Sequence, residues 1–396
     1  MPQSKLVKKL DFIFFDAGGG HRAAANALRQ VVQERGSGFQ IRLVNLQELL
    51  DPLDVFRKIT GLRLQDIYNL MLERGWTLGS GPLTAGMHLV IRMFHRQQVR
   101  LLEEFWRGSR PDMAVSLVPN FNRALAESLG RALADVPLVT VLTDIADYPP
   151  HFWLERPVGR HPGPAPQYVI CGSDKAVEQA RAMGHAAARV FRVSGMILAP
   201  KFYVIAPLAS EQRAAARAAL GFDPQAPVGL MLFGGQGAAA MLKIARRLPE
   251  RQLIAICGHN EKLAAELRGM RHAAPIFVEG FTKEVPCYMQ LADYFIGKPG
   301  PGSLSEAVFM RLPVIVERNA WTLPQERYNA EWIRQQGVGI VLRNFRKIAR
   351  AVEELLDPEN FARYRAATER MENRGVFEIA EILEKIIHRR DAETQG

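Results

Sequence analysis

The chain has 396 residues, a length that favours two domains, and its 48% hydrophobic content supplies a core that excludes a globally disordered protein. The formal net charge of +10 favours an anionic partner, whether nucleic acid, acidic lipid head groups or a phosphorylated substrate. Three widely spaced cysteines predict neither a disulfide framework nor a zinc site, and fit a reducing compartment.

The first half of the chain predicts a doubly wound parallel sheet. Apolar runs bounded by turn or helix signals indicate buried strands at residues 12–15, 40–44, 113–117, 138–142 and 168–171. A glycine-rich stretch links the first of these strands to a helical pattern over residues 22–35. The pattern pauses near Gly195, so we expect the first domain to span residues 1–200.

The second half predicts a second sheet of the same kind. After a helix over residues 210–220, further strands are predicted at residues 228–233, 253–257, 276–278, 294–296, 314–317 and 340–342. We expect this domain to span residues 201–375 and a final, largely helical segment to span residues 376–396. Two doubly wound domains with a cleft between them bind ligands beyond the carboxyl ends of their strands, so the loops there are the candidate sites.

The first candidate loop of the second domain is Gly234-Gly235-Gln236-Gly237. It follows a predicted strand and precedes a helix, so its glycines allow close approach of a ligand and the helix N–H groups attract a diphosphate. The spacing matches neither the dinucleotide fingerprint nor a P-loop, and a tight turn is the alternative interpretation.

The second candidate loop is Lys298-Pro299-Gly300-Pro301-Gly302-Ser303. Ser303 is predicted to cap the next helix, which would place Glu306 in its first turn. A carboxylate there can accept two hydroxyl hydrogen bonds, as from a ribose, or can simply complement the helix dipole.

The third candidate loop, from Leu323 to Arg327, offers Gln325 and Glu326 side by side. An amide beside a carboxylate suits the hydroxyls of a hexose, and a solvated helix start is the alternative. Because all three loops follow strands of one sheet, we expect them to face one crevice.

In the first domain, His21 follows three glycines and begins a helix. The helix dipole should keep its imidazole neutral, so that it can accept the proton of a hydroxyl nucleophile; a structural cap is the alternative. Asp144, at the end of a predicted strand, is expected to point into the same crevice. It can orient His21, act as the base itself, or serve only a turn.

Together these motifs resemble the monogalactosyldiacylglycerol synthase and diglucosyldiacylglycerol synthase family, over nearly the whole chain. The matching segments are Gly18-Gly19-Gly20-His21-Arg22-Ala23, Thr143-Asp144, Gly234-Gly235-Gln236-Gly237, Ile256-Cys257-Gly258-His259-Asn260, Gly280-Phe281-Thr282, Lys298 to Ser303 with Glu306, and Gln325-Glu326. That family is related to the peptidoglycan GlcNAc transferase and has the GT-B fold, two Rossmann-like domains facing a central cleft. The resemblance also implies that the last helix crosses back onto the first domain.

The resemblance implies an inverting, metal-independent transfer of a hexose from a UDP-sugar to a lipid acceptor such as diacylglycerol, without a cofactor. Residue by residue, it assigns His21 as the base, Gly258-His259-Asn260 and Phe281-Thr282 as the uracil wall, Gly300 to Ser303 as the phosphate loop, Glu306 as the ribose carboxylate, and Gln325-Glu326 as the sugar-binding pair. Loop amides and helix N-termini can hold a diphosphate leaving group in place of a metal ion.

On the acceptor side, the candidates are Gly19, Gly20 and His151. Galactolipid synthases carry His-Pro after the Thr-Asp segment, whereas Pro149 stands at that histidine position here and His151 comes two residues later. This difference bears on the identity of the acceptor and of the sugar more than on the fold.

A long apolar and basic stretch, including residues 64–76 and 89–107, separates the second and third predicted strands. Arg92, Arg96 and Arg100 share one helical face, which with the nearby aromatic residues predicts an interfacial helix on an anionic membrane. An ordinary amphipathic helix packing on the sheet is the alternative. The basic residues carry no nucleic-acid-binding motif, so nucleic acid is not an expected partner.

The start of the chain is basic without the apolar region of a signal peptide, and no run of about 18 uncharged apolar residues occurs. We therefore expect a cytoplasmic protein bound peripherally to the inner face of the cell membrane. A UDP-sugar epimerase of the same fold, a transferase for a non-lipid acceptor and a non-catalytic UDP-sugar-binding membrane protein remain alternative functions.

Overall fold

The structure, a computed structural model, describes residues 7–16, 20–53, 91–158, 165–320 and 322–395. These residues form two α/β units. The first unit holds the described residues up to 200 together with residues 373–395, and the second holds the described residues from 201 to 372.

The first unit is built on a six-stranded parallel sheet. Its strands are β1 (Lys9–Phe14), β2 (Gln40–Asn45), β3 (Met113–Ser116), β4 (Leu138–Val141), β5 (Gln167–Cys171) and β6 (Val190–Arg192). The helices between them are α1 (Gly20–Glu34), α2 (Leu46–Leu50), α3 (His95–Ser109), α4 (Asn122–Ala132) and α5 (Asp174–Ala182). The strand order β2-β1-β3-β4-β5-β6 places the reversal of winding between β1 and β3.

The second unit repeats this design with its own six-stranded parallel sheet. After helices α6 (Lys201–Val204) and α7 (Ser210–Ala219), the strands are β7 (Val228–Leu232), β8 (Gln252–Ile256), β9 (Ile276–Glu279), β10 (Tyr294–Gly297), β11 (Val314–Glu317) and β12 (Gly339–Leu342). The remaining helices are α8 (Ala240–Arg247), α9 (Glu261–Arg268), α10 (Val285–Leu291), α11 (Pro301–Phe309), α12 (Arg327–Gln336), α13 (Ile348–Leu356) and α14 (Pro358–Glu369). The order β12-β11-β10-β7-β8-β9 places the reversal between β7 and β10.

The central strands are apolar on both faces because helices cover both sides of each sheet. All five residues of β7 and all five of β8 are buried, and so are the four residues of β3. Every predicted strand is confirmed, with ends that agree within one residue except for β1, which begins three residues before its predicted start. The strand that was not predicted, β6, has three residues and lies at a sheet edge, where only Val190 is buried.

The final helix, α15 (Gly375–Gln395), belongs to the first unit and packs against α1. Its apolar side is buried and includes Val376, Ile379, Ala380, Leu383, Ile386 and Ile387. Polar contacts flank this core: Arg35 pairs with Glu384 at 3.0 Å, and Lys8 pairs with Asp391 at 2.6 Å. Among the described helices, none has the length and apolar character needed to cross a bilayer.

Candidate functional site

His21 is the second residue of α1 and lies at the carboxyl edge of the first sheet. Its Nδ1 is 3.0 Å from the hydroxyl of Thr143, which follows β4, and its ring also hydrogen bonds with the backbone of Leu117, which follows β3. The indole of Trp153 lies against the imidazole, with 5.8 Å between ring centroids. The switch point of the sheet therefore gathers these groups around one imidazole. Gly20 starts the helix, whereas Gly18 and Gly19 lie outside the described residues.

Burial lowers the pKa of His21 to about 4, against the weaker opposite effect of the Leu117 hydrogen bond. The side chain keeps some contact with solvent, but protein atoms crowd the ring and disfavour its charged form. The imidazole is therefore neutral at pH 7, as predicted, but the chief cause is desolvation, whereas the sequence interpretation named the helix dipole.

Asp144 contacts the indole of Trp153. β4 ends at Val141, so Asp144 lies in the following loop and not at the strand end. Asp144 is 6% exposed, and its Oδ2 accepts a hydrogen bond from Trp153 Nε1 at 2.8 Å. Because the same indole lies against His21, Trp153 connects the two predicted catalytic residues.

Trp153 is itself fixed by buried polar side chains that are not among the predicted site residues. Asp147 Oδ1 accepts from the Trp153 N–H at 2.6 Å, and Asn122 Nδ2 donates to the Trp153 carbonyl at 2.9 Å. Burial raises the pKa of the Asp147 carboxyl group. A tryptophan within a polar segment after a strand was the available signal for this cluster.

His151 belongs to the same loop. Its N–H donates to Asp147 Oδ2 at 3.0 Å, and its Nδ1 lies 3.7 Å from the carboxylate of Glu155. The backbone of His151 is left-handed, with φ of 66°, and the side chain is 44% exposed. A half-exposed imidazole can meet a ligand from solvent, so its acceptor-side role stays a prediction.

In the second unit, the loops after β7 and β8 bind each other. The His259 N–H donates to the Gly235 carbonyl at 2.9 Å, and Asn260 Nδ2 donates to the Gln236 carbonyl at 3.3 Å. Gly258 has φ of 60°, and a Cβ there would overlap the Gly235 carbonyl oxygen. Glycine is thus required where the two loops cross, which excludes a simple isolated turn for residues 234–237. Gly237 is also left-handed, and a Cβ on it would lie 2.8 Å from the Cys257 oxygen.

Two aromatic rings stand beside these loops. The rings of His259 and Phe281 are nearly parallel, with 4.1 Å between centroids and 16° between planes. Phe281 is 58% exposed, and the Thr282 hydroxyl accepts from the Glu284 N–H at 2.9 Å. An exposed, flat aromatic surface is the shape on which a nucleobase stacks.

The loop after β10 leads into α11, and the predicted start of that helix is wrong. α11 begins at Pro301 with Gly300 as its N-cap, so Ser303 is its third residue and Glu306 its sixth, in the second turn. Proline is favoured at the first helical position because its missing N–H has no intrahelical partner there. Burial raises the pKa of Glu306 to about 7, against the smaller effect of the Lys201 ammonium.

Gln325 and Glu326 lie in a single 3₁₀ turn, Pro324–Glu326, ahead of α12. Glu326 is only 7% exposed and its Oε1 pairs with Lys298 Nζ at 3.1 Å, so the solvated helix start does not describe it. Asn329, one turn further on, is fully buried and donates from Nδ2 to the Pro299 carbonyl at 2.7 Å. Asn329 is not among the predicted site residues; a polar residue on the buried side of a helix was its signal.

The basic helix of the first unit has two different sides. Arg96 and Arg100 are exposed on α3, and Arg92 is exposed in the segment before it; the single helical face predicted for all three is interrupted at Phe94, the N-cap of α3. Trp106 is fully buried, and its Nε1 donates to the Ser128 hydroxyl at 2.9 Å. The aromatic part of the interfacial prediction is therefore wrong for Trp106, because the apolar side of α3 packs into the core. Residues 64–76, and 89 and 90, lie outside the described residues.

Known proteins are similar to this chain at two levels: a family model matches its second half, and related sequences match most of its length. Residues 230–386 match the family model of the glycosyltransferase family 28 C-terminal domain. The monogalactosyldiacylglycerol synthase of Spinacia oleracea is 27% identical over 379 residues, which cover 89% of this chain and 67% of the relative. The probable monogalactosyldiacylglycerol synthase 2 of Oryza sativa subsp. indica is 29% identical over 370 residues, covering 87% and 73%.

Solved structures share the fold of this chain. MurG of Acinetobacter baumannii matches with a TM-score of 0.55 at 12% identity, covering 96% of this chain and 99% of its own. The calicheamicin glycosyltransferase CalG4 matches with a TM-score of 0.60 at 17% identity, covering 97% and 99%. The UDP-GlcNAc 2-epimerase of Neisseria meningitidis matches with a TM-score of 0.57 at 12% identity, covering 96% and 100%. At these identities the likeness shows the fold, the two Rossmann-like units of GT-B.

Proposed function

Because the chain has the GT-B fold, matches the family 28 C-terminal domain model over residues 230–386 and is similar to monogalactosyldiacylglycerol synthases, we propose that it transfers a hexose from a UDP-sugar to a lipid acceptor such as diacylglycerol. The observation that carries the proposal is the carboxyl edge of the second sheet. Two glycine loops meet there beside Lys298, which pairs with Glu326, and α11, the helix that carries Glu306, follows the neighbouring strand β10. Such an edge provides donors for a diphosphate and acceptors for sugar hydroxyls.

The donor is proposed to lie along this edge in the order of its chemical parts. The uracil would stack beside Phe281 and His259, the ribose would bind Glu306, and the diphosphate would lie against residues 300–303 at the start of α11. A helix N-terminus has free N–H groups and partial positive charge, which stabilise an anion. The hexose would then meet Gln325 and Glu326.

The departing UDP needs stabilisation of its growing negative charge. Backbone N–H groups at the start of α11 and the ammonium of Lys298 can supply it without a metal ion, and we propose that neither metal nor cofactor takes part. EDTA should therefore leave the rate unchanged. A rate that depends on added magnesium would contradict this part of the proposal.

We assign His21 as the base that takes the proton of the acceptor hydroxyl. The hydroxyl oxygen then forms a bond to the anomeric carbon while the bond to the UDP oxygen breaks, so a single displacement inverts the configuration. With a pKa of about 4, His21 is fully available but weakly basic at pH 7. The acidic side chain of Asp144, behind the indole of Trp153, is positioned to stabilise the imidazolium that forms.

For the acceptor, we propose a lipid reached at an anionic membrane surface, on the cytoplasmic face of the cell membrane. The exposed arginines at 92, 96 and 100 support this, since basic residues near an anionic surface each contribute about 1 kcal/mol. The plant relatives are named for the synthesis of a galactolipid, which supports an acceptor of the same class.

The test is a panel of radiolabelled UDP-glucose, UDP-galactose and UDP-GlcNAc with vesicles containing diacylglycerol, followed by thin-layer separation of the lipids. One donor should label the lipid fraction with a β-linked sugar, and His21→Ala should abolish labelling while UDP still binds. An epimerised sugar formed without lipid, or UDP binding with no turnover on any acceptor, would refute the proposal.

A further inference from the structure

Lys298 lies where the glycine loops and the Gln325-Glu326 segment meet. Its Cε is 3.5 Å from the position that a Cβ would take on Gly234, and 3.3 Å from the corresponding position on Gly300. At its far end, Nζ is 3.1 Å from Glu326 Oε1. One side chain therefore runs from the loops at the switch point to the carboxylate beside Gln325.

A second contact joins the same two segments. Asn329 has no solvent exposure, and its Nδ2 donates to the Pro299 carbonyl at 2.7 Å. The backbone next to Lys298 is thus fixed by Asn329, and its side chain is fixed by Glu326. Both contacts end in residues 326–329, so they fix the position of the loop after β10 relative to that segment.

The charges in this contact are unequally exposed. The Glu326 side chain is 9% exposed and needs a cation, because burying an unpaired carboxylate is costly. The Lys298 side chain is 38% exposed, and an ammonium has three donors, so it can pair with Glu326 and still serve a phosphate oxygen. Lys298 therefore has the exposure and the donors of a cation that Glu326 and a phosphate group can share.

We propose that Lys298 is a positioning residue that couples recognition of the diphosphate to recognition of the sugar, an inference that rests on the proposed UDP-sugar donor. A diphosphate oxygen fixes the ammonium, and the ammonium keeps the Glu326 carboxylate oriented to accept hydrogen bonds from hexose hydroxyl groups. The coupling operates through Glu326, so removing Lys298 must weaken binding of the sugar as well as binding of the phosphates.

The alternative is that Lys298 only attracts phosphate. UDP carries more negative charge than a UDP-sugar, because its terminal phosphate is free, so loss of a simple phosphate cation would weaken UDP at least as much. Loss of a coupling residue would weaken the UDP-sugar more. The relative loss for the two ligands therefore separates the two roles.

The experiment is calorimetric titration of the full-length protein with UDP, UDP-glucose and UDP-galactose. The variants are Lys298→Met, Glu326→Gln and the double substitution, with Lys262→Met on the exposed side of α9 as a control for lost positive charge. Lys298→Met should weaken the better UDP-sugar about tenfold more than it weakens UDP, consistent with a lost hydrogen bond to a charged group. In the double variant, Glu326→Gln should weaken UDP-sugar binding little beyond the effect of Lys298→Met, because the two residues act as one unit.

Each result has a defined meaning. Equal or larger weakening of UDP by Lys298→Met, or full additivity with Glu326→Gln, would overturn the coupling while leaving the UDP-sugar proposal standing. Failure of the unsubstituted protein to bind any of the three ligands would overturn both. Thermal unfolding identifies a misfolded variant; in that case Glu326→Gln decides, since it must weaken UDP-sugar and leave UDP unchanged.

Discussion

The carboxyl edges of the two sheets share a topology and differ in the residues placed on it. In the first unit the switch point lies between β1 and β3 and holds His21 against Thr143 and Trp153. In the second it lies between β7 and β10 and holds crossing glycine loops beside the Lys298–Glu326 pair. A parallel sheet thus supplies a location, while side chains decide whether that location offers a neutral proton acceptor or a mixture of amides and charges.

The two edges also differ in how burial shifts the pKa of the titratable group that each carries. Burial lowers the pKa of His21 to about 4 and raises the pKa of Glu306 to about 7, so both groups favour their neutral forms. The first edge should therefore lose stability on acidification and the second on alkalinisation. Four substitutions test the roles assigned to the two units, in order of decreasing expected effect.

The largest effect is expected from His21→Ala, which should lower kcat by about 10²- to 10⁴-fold, the usual contribution of a general base. UDP should bind with unchanged affinity, because His21 lies in the other unit. In the unsubstituted protein, kcat/KM should stay flat on acidification and fall only as the pH approaches 4, where the imidazole becomes charged. A larger loss in Asp144→Asn than in His21→Ala would identify Asp144 as the base.

Gly258→Ala should destabilise the protein by about 3 kcal/mol or more, because the new Cβ would overlap the Gly235 carbonyl oxygen in a left-handed backbone. Gly235→Ala is the matched control, since nothing lies within 4 Å of its Cβ position. Urea unfolding of the two variants measures the difference. Equal stabilities would show that the loops do not cross as closely as described.

Glu306→Gln should raise stability at pH 8 by about 2 kcal/mol, somewhat less than the whole pKa shift implies because the side chain keeps some exposure. The folded protein retains a proton on Glu306 up to about pH 7, whereas the unfolded chain releases it near 4.5. The stabilising contribution of this proton is present below pH 4.5 and is lost as the pH rises through 7. Between pH 5 and 8, the melting temperature of Glu306→Gln should rise relative to that of the unsubstituted protein as the pH increases. The control Glu266→Gln, at an exposed position of α9, should show no such change.

The smallest effect is expected from Arg96→Gln, which should weaken binding to phosphatidylglycerol vesicles by about 1 kcal/mol. Added salt should reduce the difference, because the attraction is electrostatic. Arg181→Gln, on the exposed side of α5, is the control in the same unit. Vesicle sedimentation measures both, and equal binding of the two variants would remove α3 from the proposed membrane contact.

Local patterns predict most of the fold, because a central parallel strand must be apolar along its whole length. They fail at β6, where three residues at a sheet edge carry no such pattern, and at the start of α11, where Pro301 begins the helix that Ser303 was expected to cap. Proline is compatible with both a loop and a first helical turn, so the sequence alone does not decide.

The candidate site likewise contains residues that the sequence predicts and residues that only the structure reveals. Glycine loops are visible in the sequence because glycine at a strand-to-helix turn has few other uses. The contacts of Asn122 with Trp153 and of Asn329 with Pro299 join segments that are apart in the chain, and packing alone brings them together. Predicted residues therefore mark where chemistry occurs, whereas the residues that hold them in place emerge from the tertiary structure.

The docking of α15 on α1 has a practical consequence for dividing the protein into halves. A recombinant fragment ending at residue 200 would lack the partner of α1, and water would reach the apolar flank that Leu383, Ile386 and Ile387 normally cover. Such a fragment should precipitate, while a version with residues 373–395 fused through a flexible tether should remain monodisperse. The solubility of the helix that carries the proposed base thus depends on α15, a helix encoded far downstream of it.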